Sequence, residues 1–85
     1  MQEYITTTGK TIRTGQRYHD RRTTNRRELL IEHIDEPLNQ SRPDECRVYY
    51  TVVKVDGKPV KKRANDTTAR RLTGRDFVLI EGGAS

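Results

Sequence analysis

The sequence is poor in the residues that build large cores and reactive centres. Among its 85 residues there is one cysteine, one phenylalanine and no tryptophan, and only 31% are hydrophobic. A lone Cys46 excludes an intramolecular disulfide. With two histidines as the other soft ligands, a Cys-rich structural zinc site is excluded too, because such sites need several thiolates or imidazoles. This cysteine usage suits a reducing compartment. No apolar stretch approaches the roughly 18 residues of a membrane span, and the N-terminal MQEYITTTGK holds no apolar leader segment. Neither a Gly-x-x-x-x-Gly-Lys-Ser/Thr loop nor a His-Glu-x-x-His motif occurs. The expectation is one small cytoplasmic domain, not membrane-bound, with no metal, no cofactor and no catalytic residues. Its core can draw on only about a dozen side chains.

Charge is plentiful instead. Charged residues make up 34% of the chain, with a net charge of +5. They come in blocks. Residues 10–27 hold seven basic residues against Asp20 alone, residues 28–45 hold six acidic residues against Arg42, and residues 46–75 hold nine basic residues against Asp56 and Asp66. Two basic blocks brought to one face would follow a phosphate backbone. Alternatively, the acidic block pairs with the basic ones across a sheet and keeps the surface soluble. Arginine outnumbers lysine twelve to five. That suits bidentate phosphate contacts, but it also follows from a GC-rich genome.

No segment shows a helical period, and β-branched residues gather in short runs. Four runs read as strands: Arg17–His19, Glu28–Asp35, Cys46–Val55 and Asp76–Glu81. Asp56-Gly57 is a tight-hairpin signal, so Val60–Ala64 should return antiparallel, with Pro59 at the strand start or on an edge. In NDTTARRLTG, Asn65, Asp66 or Thr67 should cap one helical turn over Thr68–Leu72, ended by Gly74. Tyr4–Thr7 and Thr11–Thr14 read as a hairpin around Gly9 or as a frayed tail; residues 82–85, Gly-Gly-Ala-Ser, read as a disordered tail. Alternation puts Cys46, Val48, Tyr50 and Val52 on one face and Tyr49, Thr51, Val53 and Val55 on the other. Ile34 joins the face of Leu29 and Ile31 only if the strand bulges near His33. Phe77 and Leu79 likewise oppose Val78 and Ile80, so the third and last strands are apolar on both sides, and the second face must be covered by residues 1–14 or by another chain.

The order of elements resembles a five-stranded SH3-like barrel over residues 15–81, all-β, with a single helical turn before the last strand and an N-terminal strand or hairpin extension over residues 1–14. Gly15-Gln16-Arg17-Tyr18-His19-Asp20, Arg26-Arg27-Glu28-Leu29-Leu30-Ile31, Cys46-Arg47-Val48, Asp56-Gly57-Lys58 and Ala69-Arg70-Arg71-Leu72 carry a further likeness. In these pieces the chain resembles a set of short proteins from actinobacteria and their phages. That resemblance implies the fold and brings no activity with it.

Two stretches suit polyanions. Arg21, Arg22, Arg26 and Arg27, with Thr23, Thr24 and Asn25, form an arginine-rich loop whose guanidinium forks, hydroxyls and amides are the groups that hold phosphates. Lys54, Lys58, Lys61, Lys62 and Arg63 form a basic hairpin suited to a groove, or an edge strand guarded by lysines. Arg47 and an outward Tyr49 add a cation and a stacking ring. Catalysis finds little support. His19 and Asp20 should point to opposite faces of a strand, and Cys46 should lie inward and inert. The expected function is non-enzymatic nucleic-acid binding, DNA or RNA, as an accessory or regulatory factor, plausibly phage-encoded. The alternative is a protein–protein adaptor or homodimer on the second apolar face, or a phage host-takeover or assembly protein.

Overall fold

A computed structural model describes residues 1–81. The expected tail at 82–85 lies outside them. The chain opens with a hairpin of β1 (Glu3–Ile5) and β2 (Thr11–Arg13), turned at Gly9 with φ 84°. Then follow β3 (Arg17–Asp20), β4 (Arg27–Ile34), a 3₁₀ turn (Pro43–Glu45), β5 (Arg47–Val55), β6 (Lys58–Thr68), helix α1 (Ala69–Leu72) and β7 (Phe77–Glu81). β3 to β7 form one antiparallel sheet in the order β6-β5-β4-β3-β7.

The sheet is open. β6 and β7 are its edges and do not pair with each other, so the expected closed five-stranded barrel is not formed by hydrogen bonding. The reason lies in the core. One face of the sheet supplies Tyr18, Leu29, Ile31, Ile34, Val48, Tyr50, Val52 and Phe77, and it is capped by Ile12 from the hairpin and by Ala69 and Leu72 from α1. The core is thus completed by side chains from outside the sheet. Ile34 is turned inward by a register shift between Ile31 and His33, as the apolar pattern of β4 requires.

The turn between β5 and β6 follows from its residues. Asp56 and Gly57 both have positive φ, 52° and 78°, the pair that a type I′ turn needs to match strand twist. β6 runs four residues further than apolar patterning marks, to Thr68, with Pro59 second in an edge strand. The helix cap accordingly moves. Thr68 accepts a hydrogen bond from Arg71 N at 3.1 Å, whereas Asn65, Asp66 and Thr67 stay in the ladder opposite Tyr50, Tyr49 and Val48.

Residues 1–14 are part of the core rather than an appendage. Ile12 is fully buried, Tyr4 packs against the core, and the N-terminal ammonium donates to the Ile34 carbonyl. The hairpin cross-links to the 3₁₀ turn through Asp44, whose carboxylate accepts from the Tyr4 hydroxyl at 2.7 Å, the Thr7 hydroxyl at 2.6 Å and the Thr7 N–H. Burial alone would raise the carboxyl's pKa, but the Thr7 and Tyr4 hydrogen bonds outweigh it and hold it below the usual range. A lowered carboxyl contributes stability above its unfolded pKa and loses it as pH falls through the folded one. Acidification from about pH 4 downward should therefore loosen the hairpin, seen as a shift of the Thr7 amide resonance. D44N should be less stable than the parent at pH 7, with the difference vanishing in acid.

The outer face of the sheet is not covered by the hairpin. Leu30, Thr51, Val53 and Val78 are half-buried there, and Ile80 is 44% exposed.

Candidate nucleic-acid interface

The loop between β3 and β4, residues 21–26, is fixed at three points. At its root the buried Asp20 carboxylate accepts from Arg27 Nε at 3.0 Å and from the Arg22 and Arg27 N–H groups, both at 3.3 Å. At its far end the Asp56 carboxylate accepts from Asn25 N at 3.2 Å and Arg26 N at 2.8 Å, and Asp56 N donates to the Arg26 carbonyl. Asn25 takes a positive φ of 54° to make this approach, as Asn tolerates. On the third side Arg21 N donates to the Asp76 carbonyl, just after α1. The sharp Asp56-Gly57 turn thus has two consequences. It reverses the chain, and it aims a carboxylate at loop amides more than 25 positions away in sequence. The loop and the β5–β6 hairpin become one surface.

Pairing sorts the cations. Arg13, Arg17, Arg42 and Arg47 face Glu3, Glu28, Glu45 and Asp66, and Arg27 faces Asp20. Arg22 stands 3.9 Å from Asp20. Among the described residues Lys10, Arg21, Arg26, Lys54, Lys58, Lys61, Lys62, Arg63, Arg70, Arg71 and Arg75 meet no carboxylate within ion-pair distance. All but Lys10, whose Nζ donates to the Thr73 carbonyl, belong to the loop, the hairpin, or the segment that carries α1.

A hollow of about 510 Å³ opens between Thr23, Arg26, Asp56 and Gly57, with His19, Glu28 and Ile80, and two further hollows are lined by several cations each. A cleft of about 330 Å³ is lined by Arg21, Arg22, Arg27 and Arg71 together with the buried Asp20, the exposed Asp76 and Phe77. A groove of about 400 Å³ runs along the hairpin, with Val52, Val55 and Val60 as its apolar wall and Arg27, Lys61 and Arg63 beside them. Arg27 lines both. Arg71 is a cation that the loop-and-hairpin reading of the sequence leaves out. Its signal there is the Arg70-Arg71 pair in the helical turn.

Other expected site residues stand apart. Arg47 and Tyr49 lie on the outer face. Arg47 pairs with Asp66, and the Tyr49 hydroxyl donates to Asp35 at 3.0 Å, beside the His33 ring. The Asp35 hydrogen bond, then its charge, raises the Tyr49 pKa. These carboxylates repel phosphate where the ring would stack. A register shift after Val52 interrupts the alternation of β5: it sets Lys54 opposite Glu28 and packs Val55 against the core rather than on the outer face, and neither Lys54 nor Lys62 lines the groove. His19 does not meet the Asp20 carboxylate: its Nδ1 lies 2.8 Å from the Asp20 carbonyl oxygen, while that carboxylate turns inward to Arg27. The Cys46 thiol is buried, and burial followed by the nearby Asp44 charge pushes its pKa up, away from a reactive thiolate. No group of His, Cys, Asp or Glu among the described residues is arranged to hold a metal ion, and no helix among them is long and apolar enough to cross a membrane.

Comparison with known proteins matches the chain to no family model, no curated protein and no solved structure.

Proposed function

We propose that the protein is a non-enzymatic nucleic-acid-binding factor that grips phosphates with the loop 21–27, the groove side of the β5–β6 hairpin and Arg71. One observation supports this above the rest: most of the cations that lack a carboxylate are gathered around a loop that Asp56 ties to the hairpin and that Asp76 ties to the start of β7. Ion pairing has neutralised most arginines elsewhere and left a cluster of charged side chains on this side, which is the electrostatic footprint of a polyanion site. Arg47 and Tyr49 are not part of the grip. An SH3-like fold is part of the same reading, supported by the strand order and by the single turn before β7.

Titrating labelled DNA and RNA at rising salt tests it. Binding should weaken steeply, with a log–log slope of about −0.9 per phosphate neutralised on duplex and about −0.7 on single strands. R21A/R22A/R71A should flatten that slope, whereas R47A should leave it unchanged. The exposed Ile80 and the half-buried Leu30, Val53 and Val78 favour a second reading, a protein–protein surface on the outer face. No binding to either nucleic acid at low salt, with the chain sedimenting as a dimer, would favour that reading and end the first.

A further inference from the structure

We infer that the preferred ligand is single-stranded nucleic acid, with one unpaired base lying against the valines of the groove and its neighbouring phosphates on the arginines of the cleft. This rests on the nucleic-acid reading and narrows it. A surface built only to neutralise a duplex needs cations and hydrogen-bond donors, because duplex bases hide their faces in the stack. The groove offers something else. Val60 is 39% exposed on an edge strand, and Val55 is only half-buried, so the wall is wettable and apolar. Lys61 and Arg63 stand beside it. An apolar wall with cations at its side matches a single nucleotide, which joins an apolar ring to an anion.

Continuity carries the argument from one nucleotide to a strand. Arg27 lines both hollows, and its Nε is held by Asp20 at 3.0 Å, which fixes the guanidinium between them. From that point the cationic line runs one way to Lys61 and Arg63 and the other way to Arg21, Arg22 and Arg71. The outward aromatic Tyr49 lies on the opposite face among carboxylates, so the valine wall is where a base would settle. Thymine fits this wall well, since its methyl group adds apolar contact.

The test uses the full chain and three labelled probes of equal length at one salt concentration: oligothymidylate, the same phosphodiester strand with abasic sugars, and a duplex. Oligothymidylate should bind about tenfold more tightly than the abasic strand, because the two differ only in the bases. V60S, at an exposed site where the fold tolerates a polar side chain, should shrink that gap without changing the affinity for the abasic strand. Circular dichroism checks that V60S is folded, and V60T provides a second variant of conserved shape. If the abasic strand binds as tightly as oligothymidylate, or the duplex binds more tightly than either, the groove assignment is wrong while the phosphate grip stands. If polyglutamate displaces oligothymidylate as well as unlabelled oligothymidylate does, the preference for nucleic acid is wrong. Failure of all three probes to bind at low salt removes both readings together.

Discussion

Replacing Ile12 by alanine should lower the free energy of unfolding by about 3 kcal/mol. Ile12 is fully buried against the sheet core, although it sits in a three-residue strand of a hairpin whose other residues are mostly polar. Removing its side chain takes away transfer free energy and leaves a cavity that the β1–β2 hairpin can only partly close. For a domain of this size, whose total stability is on the order of 5–10 kcal/mol, that is a large share. Urea titration followed by circular dichroism should show a lower midpoint with an unchanged slope. Deleting residues 1–14 should go further and leave the chain unfolded, because Ile12, the Tyr4–Asp44 bond and the tie from the N-terminus to Ile34 are lost together. A deletion variant that folds cooperatively would show that the hairpin is an appendage after all.

Replacing Asp20 by alanine should cost about 2–3 kcal/mol and also weaken nucleic-acid binding. Its side chain is 6% exposed and accepts three hydrogen bonds from Arg22 and Arg27. Without it, the Arg27 guanidinium and two loop N–H groups lose their acceptor. The cost lies below that of a fully buried pair because Arg27 is 28% exposed and can turn to water. Binding should fall for a separate reason: Arg21 and Arg22 leave a fixed position and must be ordered by the ligand. The coupling between D20A and R27A in a double-mutant cycle measures the pair itself. Near-additive effects would mean that the loop is held mainly by Asp56.

Alternation located the strands, because their buried faces recur every second residue: Val48, Tyr50 and Val52 in β5, Leu29 and Ile31 in β4. The His33 irregularity was legible for the same reason, since Ile34 falls out of step. The end of β6 was not. Its residues Lys61–Asp66 are exposed on both faces, so no alternation marks them, and the strand is defined by pairing with β5. The open sheet was not legible either. Whether edges close depends on which segments plug the core, and Ile12 is one apolar residue in a threonine-rich stretch. At the site, the two basic segments were visible as charge, but what joins them was not. Asp56 reads as turn chemistry, and only the fold shows that its carboxylate serves a distant loop. Arg47 and Tyr49 looked like ligand contacts because their acidic neighbours, Asp35 just past β4 and Asp66 in β6, are distant in sequence.

The position of Arg27 divides the proposed binding surface into parts that can and cannot drift. Its guanidinium neutralises a buried carboxylate and also stands between two hollows, so any change there alters folding and grip at once. Lys58, Lys61, Lys62 and Arg63 carry no such double duty on their exposed ribbon. Selection can therefore retune affinity by trading charges along the hairpin, one at a time, while the arginine at its foot is locked in by the architecture.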